Sequence, residues 1–449
     1  MTSQPHPARR LFGTDGVRGA ANVELTADFV MELARAAGEG LSGPVVVGRD
    51  TRRSGDMLSA ALQAGFHSVG IDTVDVEVMP VGGISFLTRD GGGRMGAVVS
   101  ASHNPADDNG VKFLGRDGTK LADGQEDLIE KRLRKGPPWK LASGSLVGMR
   151  LAMHDALPRY LDYLVETIPY TLRGIDLAVD CADGAAVRAA PLLFKRLKAN
   201  VQYFGVSPDG TNINREGGST HPERLSREAR GLLGLAFDGD ADRMIAVDEE
   251  GVPANGDVIM AVIASYWKEQ GWLRNNTVVT TVMANLGFRQ AMRELDVKVG
   301  ETQVGDRYVV EAMRQRKAVL GGEQSGHLVF LDRATTGDGL LTAVRLLEVV
   351  AATGKPLTEL RKVMTEYPQV LRNVRVPSKE ALPQAEVLWE AVREAQERLH
   401  GEGRVLVRAS GTEPMVRVMV EAPTAPDATS IAEELVTIAR RELGDEQPG

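Results

Sequence analysis

Apolar positions along this chain gather into short runs separated by longer stretches of helical period. Three segments repeat that order: "GPVVVGRDTRRSGDMLSAALQAGFHSVGIDTVDV", "GIDLAVDCADGAAVRAAPLLFKRLKANVQYFG" and "NNTVVTTVMANLGFRQAMRELDVKVGETQVG". Each opens on an apolar strand, passes a polar or glycine-bearing loop, runs through a helical stretch and ends on a second strand-like run. Strands alternating with helices predict βαβ units and mainly parallel sheets covered on both faces. The segments share pattern with little identity, so they imply related topology only.

Breaks in the pattern suggest boundaries. "RKGPPWKLASGS" precedes the helical "HDALPRYLDYLVETI", "DEEGVPANGD" closes a pair of strands, and "TEYPQVLRNVRVPSKEALP" breaks the order again. The tail reads differently: a helix from Gln384 to Leu399, strands "GRVLVRAS" and "PMVRVMVEA", and a last helix near Ile431 to Leu443. A chain of 449 residues fits roughly three domains by length, and these breaks favour four.

Composition narrows the class. Apolar residues at 43% and charged residues at 25% are ordinary for a soluble globular chain. No apolar run approaches the ~20 residues that span a bilayer, and "MTSQPHPARR" lacks the apolar core of a secretory signal. One cysteine, Cys181, excludes an internal disulfide and a cysteine-based zinc cluster. These features predict a cytoplasmic protein. A net charge of -8 argues against a broad nucleic-acid surface, yet it leaves room for an anionic small substrate.

Candidate chemistry begins at "MGAVVSASHNPADDNGVKF", where a buried-looking strand climbs into Ser100, Ser102 and His103 and is stopped by Pro105. Proline turns Asn104 away from helix, so the loop bends sharply after the serine. The segment reads either as a polar strand-to-loop junction or as a nucleophile presented at a strand end.

In "LGLAFDGDADRMIAVDEEG", Asp238, Asp240 and Asp242 alternate between two apolar strands. Three carboxylates suit a hard cation such as Mg²⁺ or Ca²⁺. Arg243 stands where an EF-hand turn needs glycine, and the flanks are strands, so that reading fails. A phosphatase with Asp238 as nucleophile is the better rival. In "VRASGTEPMVRV", Ser410, Gly411 and Thr412 offer hydroxyls and backbone N–H groups, and Arg408 and Arg417 suit bidentate contacts to phosphate. A hairpin loop with incidental arginines reads equally well. "LGGEQSGHLVF" places Glu323, Ser325 and His327 on a loop that suits sugar hydroxyls, and Asp338 in "TTGDG" heads a helix it can cap. "RRLFGTDGVRG" is a tight turn carrying Arg18, and His103, Lys112 and His327 are candidate proton carriers or anion contacts.

Together "FGTDGVRG", "SASHNP", "FDGDADR", "GEQSGH" and "RASGTEP", in this order over almost the whole chain, resemble the α-D-phosphohexomutase family. The resemblance implies an α/β fold of four domains around a central cleft. Three would be mixed-sheet α/β domains, at 1–145, 146–253 and 254–368, and one a smaller helix-and-sheet domain at 369–449. It places the phosphorylated serine on Ser102 and the metal ligands on Asp238, Asp240 and Asp242, completed by the phosphoserine oxygen. The sugar loop falls on Glu323, Ser325 and His327, and the phosphate loop on Arg408, Ser410, Gly411, Thr412 and Arg417. Arg18, His103, Lys112 and Arg243 match positions lining the site. Asp306 and Arg307 stand where some relatives carry a histidine.

The activity implied is interconversion of glucosamine 6-phosphate and glucosamine 1-phosphate for cell-wall precursor synthesis. The phosphoserine enzyme passes through a bisphosphorylated sugar, with one Mg²⁺ per subunit and glucosamine 1,6-bisphosphate or glucose 1,6-bisphosphate as activator. The expected partners are sugar phosphates, without nucleic acid or membrane, and a homodimer stays open. A mutase for glucose or mannose phosphates, a phosphatase releasing inorganic phosphate and a non-catalytic sugar-phosphate sensor are the alternatives.

Overall fold

The computed structural model describes residues 10–13, 15–410 and 414–444. Its residues separate into two units, Met1–Met283 with Val297–Val363 and Ala284–Asp296 with Met364–Gly449.

The larger unit holds three sheets. In the first, the strands run in the order Val17–Ala20, Asp108–Leu114, Met95–Val99, Val45–Arg49, Thr73–Val78 and Arg150–Ala152. Val45–Arg49 is parallel to Thr73–Val78 and Met95–Val99, whereas Asp108–Leu114 runs antiparallel to both its neighbours. Side chains alternate between faces, yet Val45, Val46 and Val47 are all buried, because both faces are covered. Val45 and Val47 share a core with Leu33, Leu58, Leu62 and Phe66 from helices Ala27–Gly38 and Gly55–Ser68. Helix Val81–Asp90 packs on Val45–Arg49 and Met95–Val99. Each such Val or Leu contributes about 1.5–3 kcal/mol relative to exposure. The two helices cross closely at Gly65, where a Cβ would lie 2.4 Å from the Met31 carbonyl oxygen. Only glycine fits there.

The second sheet has the order Pro253–Ala254, Met244–Val247, Leu233–Phe237, Asp176–Asp180 and Asn200–Phe204, with a parallel core and an antiparallel flank. The third has the order Lys298–Thr302, Thr277–Thr281, Leu320–Gly322 and Leu328–Phe330, again mixed. In parallel sheets the loops after the carboxyl ends of strands are where ligands bind. The strands Met95–Val99 and Leu233–Phe237 lead into the serine and acidic loops at such ends.

The smaller unit is built on an antiparallel sheet with Met415–Glu421 between Gln369–Arg375 and Arg404–Ala409. Helices Glu386–Arg398 and Ala425–Leu443 pack with it. Three details differ from the sequence pattern. The strand Gln369–Arg375 lies inside the stretch read as a break, because its alternation is weak and Leu371 is exposed. The helix expected from Gln384 starts at Glu386, after a 3-10 turn over Lys379–Gln384 that contains Pro383. The last helix starts six residues early, at Ala425 rather than Ile431, where Thr424 caps it and a proline sits in its first turn. Helix Leu286–Glu294 also belongs to this unit: Leu286 N–H donates to Glu421, and Asn285 exchanges bonds with Tyr367.

Candidate active site

Ser102 is buried and left-handed, with φ +50°. For a non-glycine residue that conformation costs roughly 1–2 kcal/mol, so local bonds must hold it. The Ser102 N–H donates to Ser100 Oγ at 2.9 Å, and Ser100 Oγ donates to Asp50 at 2.6 Å. Ser102 Oγ then donates to Asp238 Oδ2 at 2.6 Å and lies 3.4 Å from His103 Nδ1. Burial, then Arg243 and Arg18, push the His103 imidazole below its ordinary pKa, which favours the neutral ring at pH 7.

Asp238, Asp240 and Asp242 are all buried, and one oxygen from each lies within 4.8 Å of the others. Asp240 Oδ1 and Asp242 Oδ1 are buried without a hydrogen-bond partner. Hard oxygen donors left in this state fit a divalent cation such as Mg²⁺. Burial, with Asp240 and Asp242 adding repulsion, raises the Asp238 carboxyl above its ordinary range. Burial alone would raise Asp242 too, but Lys112, His327 and Arg243 outweigh it and hold the carboxyl at about 2.

The acidic loop is anchored by its backbone. The carbonyls of Gly239, Asp240 and Ala241 accept in turn from Ala185, Val81 and Gly339 N–H at 2.8–3.0 Å. Those donors open the helices Ala186–Leu197, Val81–Asp90 and Gly339–Thr353. Three positive helix ends therefore meet a loop of carboxylates. At the third helix Asp338 caps Leu341 N–H at 3.0 Å and also accepts from Tyr160.

Cations complete the surround. Lys112 Nζ lies 3.4 Å from Asp240 and 3.3 Å from Asp242. Burial would lower its pKa, but these acids with Asp15 and Asp306 raise it, so Lys112 is held charged. Arg243 N–H donates to Asp238 at 3.1 Å, and its Nε is 3.7 Å from Asp242. Arg18 reaches Asn104 at 3.4 Å and Asp15 at 3.2 Å.

The loop with Glu323, Ser325 and His327 joins the antiparallel strands Leu320–Gly322 and Leu328–Phe330. Met244 N–H, just after the acidic loop, donates to the Gly326 carbonyl at 3.1 Å. This brings His327 Nε2 to 3.9 Å from Asp242, with both ring nitrogens buried and without a hydrogen-bond partner. Glu323 accepts from Gly305 N–H at 2.9 Å, and Ser325 is exposed.

In the smaller unit Arg408 and Arg417 are directly opposite across two strands. Like charges so placed repel, and Arg417 and burial together lower the Arg408 pKa, burial most. Ser410 is buried, and its carbonyl accepts from Lys379 at 2.8 Å. Gly411 and Thr412 lie outside the described residues.

The motifs of the larger unit thus meet around Ser102 and the acidic loop. Three partners there were not singled out from the sequence. Asp15 sits within the quoted "FGTDGVRG", and burial notwithstanding, Lys112, Lys120 and Arg18 depress its carboxyl. Lys120, half-buried as a residue with its side chain nearly covered, lies 3.7 Å from Asp15 and 3.6 Å from Asp306. Asn214, in "TNINREGG", donates to the Ser102 carbonyl at 2.8 Å from a left-handed turn. Paired Asn residues before glycines were the available signal. Arg307 pairs with Asp123 and, at 3.0 Å, with Glu126.

Comparison with known proteins finds relatives over nearly the full length of the chain. Models of phosphoglucomutase/phosphomannomutase match as alpha/beta/alpha domain I at residues 9–138, alpha/beta/alpha domain III at 255–367 and the C-terminal domain at 371–438. The phosphoglucosamine mutase of Shouchella clausii is 48% identical over 443 residues, 97% of this chain and 99% of its own. That of Moorella thermoacetica is 50% identical over 440 residues, 96% and 99% of the two chains. Among solved structures, a phosphoglucomutase/phosphomannomutase family protein from Burkholderia thailandensis superposes with a TM-score of 0.82 at 25% identity, covering 98% of this chain and 99% of that one. An N-acetylphosphoglucosamine mutase from Aspergillus fumigatus, in complex with GlcNAc-6P and magnesium, shares the fold at a TM-score of 0.68 and 16% identity over 97% and 96% of the chains.

Proposed function

The chain belongs to the α-D-phosphohexomutase family, and from that membership we propose that Ser102 is its phosphoryl carrier. The enzyme is a phosphoglucosamine mutase, interconverting glucosamine 6-phosphate and glucosamine 1-phosphate, as its relatives' identity over almost the full chain supports. In the proposed cycle, phosphoserine 102 gives its phosphoryl group to O1 of glucosamine 6-phosphate. The 1,6-bisphosphate turns in the site, and the 6-phosphoryl group passes to Ser102 Oγ, leaving glucosamine 1-phosphate.

The observation that carries this reading is the Ser102 Oγ–Asp238 bond at 2.6 Å. It puts the Ser102 hydroxyl, and not that of Ser100, against the acidic triad, whose members Asp238, Asp240 and Asp242 would hold one Mg²⁺ with an oxygen of the serine phosphate. That cation would draw charge from the phosphoryl group in transit. Lys112, held charged, supports the same oxygens and does not act as a base in that state. His103, favoured neutral and nearest the serine, takes the Ser102 proton when the hydroxyl becomes nucleophile. His327, whose ring nitrogens have no partner, serves the sugar hydroxyl. Arg18 and Arg243 counter the phosphate charge, and Glu323 and Ser325 hold the sugar.

Arg408, Ser410, Gly411, Thr412 and Arg417 are assigned to the phosphate that is not reacting. Arg408 and Arg417 stand opposite each other across two strands, and an anion between two such guanidiniums gains charge-assisted bonds from both. The proposal includes domain limits at 1–145, 146–253, 254–368 and 369–449, with one of the four loops in each, and a cytoplasmic setting. Among the described residues, no helix is long and apolar enough to cross a membrane.

Peptide mapping of the purified chain, after incubation with glucose 1,6-bisphosphate, tests the assignment. Phosphate on Ser102 together with conversion of glucosamine 6-phosphate is expected. Phosphate on Asp238 with release of inorganic phosphate would replace it with the phosphatase reading.

A further inference from the structure

Behind the serine loop lies a buried ion pair that no catalytic motif contains. Asp50 and Arg52 follow the strand Val45–Arg49, and their side chains are fully buried. Arg52 Nε donates to Asp50 Oδ2 at 2.9 Å, and the Arg52 N–H donates to Asp50 Oδ1 at 2.9 Å. The other guanidinium nitrogens all face one loop. One donates to the carbonyls of Pro105 and, at 2.9 Å, Asp108; the other donates to Ser102 at 2.9 Å and Asn104 at 2.8 Å. A guanidinium has five N–H donors in a fixed plane, and all are used here, four on the loop that carries Ser102. Asp50, besides balancing the charge, accepts from Ser100 Oγ, which in turn receives the Ser102 N–H. Asn214 adds donors to the Ser102 and Asn104 carbonyls at 2.8 and 3.1 Å.

We propose that Arg52 is a positioning residue: its planar fork, oriented by Asp50, fixes the left-handed turn that points Ser102 Oγ at the acidic loop. The proposal rests on Ser102 as carrier. A carrier serine must return to one geometry after each gain and loss of phosphate, and reach for in-line transfer is lost by shifts of about 1 Å. Lysine would keep the charge for Asp50 but concentrates three donors on one atom, so it cannot span the four carbonyls.

The test compares the parent with R52K and N214A for kcat, KM for glucosamine 6-phosphate, circular dichroism and single-turnover transfer from phosphoserine 102. Folded R52K should lose at least tenfold in kcat and in single-turnover rate, with KM within threefold, since Arg52 meets no substrate. A smaller loss, or one carried mainly by KM, overturns the proposal. Should R52K not fold, N214A decides: a fall of at least fivefold in kcat at unchanged KM upholds positioning through these carbonyls, and a smaller one rejects it. A parent that never carries phosphate on Ser102 would strike down the carrier reading and Arg52's role with it. Normal transfer in the variants would strike down Arg52's role alone.

Discussion

Ser102 Oγ and Asp238 Oδ2 are 2.6 Å apart although 136 residues separate them in the chain. The serine's neighbour Ser100 makes no such contact and serves the loop through Asp50. S102A should therefore abolish turnover in a coupled assay. S100A removes two buried bonds, to Asp50 and from the Ser102 N–H, each worth about 0.5–1.5 kcal/mol, so activity should fall about 5- to 150-fold and remain measurable. The reverse ranking would move the carrier to Ser100.

Arg417 stands opposite Arg408. R417A should raise KM for glucosamine 6-phosphate by about 10- to 150-fold, the equivalent of about 1.5–3 kcal/mol for a bond to a charged group. Phosphate already on Ser102 should stay in place. Loss of phosphoserine with normal substrate binding would show that these arginines serve another step.

At Asp240, D240N keeps an oxygen and drops a charge. Its Mg²⁺ affinity, read by titration calorimetry, should weaken, and turnover should recover in part at high Mg²⁺. Full activity of chelator-treated parent, verified metal-free, would end the metal assignment.

Asp338 supplies a pH signature. Burial raises its carboxyl to about 6 against bonds from Leu341 and Tyr160, compared with an ordinary value near 3.8. The folded state thus binds this proton more tightly than the unfolded state does. The stability it contributes is complete below about pH 4 and is lost as pH rises through 6, on the order of 2–3 kcal/mol. In D338N, where the amide oxygen can still cap the helix, urea unfolding between pH 4 and 7 should lack that decline. An unchanged slope would place the titration elsewhere.

Much of this was legible locally. The acidic alternation from Asp238 to Asp242, the strand-end serine and the βαβ order each lie in a few adjacent residues. The strand Gln369–Arg375 was not legible, because its partner Met415–Glu421 is what makes it a strand. Nor was the place of helix Leu286–Glu294, which depends on contacts to Tyr367 and Glu421. Arg52 reads as a polar residue between a strand and a helix until the fold folds residues 102–108 over it. Its meaning is a set of distances across about fifty positions.

The three helix-opening amides that reach Gly239, Asp240 and Ala241 come from Ala185, Val81 and Gly339, widely separated in the chain. Because successive carbonyls share one short loop, none of the three amides can open to solvent without loosening its neighbours' acceptor. Their deuterium exchange should be slow and move together, in the metal-free chain as in the loaded one. The cation's coordination shell would then be assembled during folding and would survive each departure of the ion, so that ion exchange need not wait on any rearrangement of the backbone.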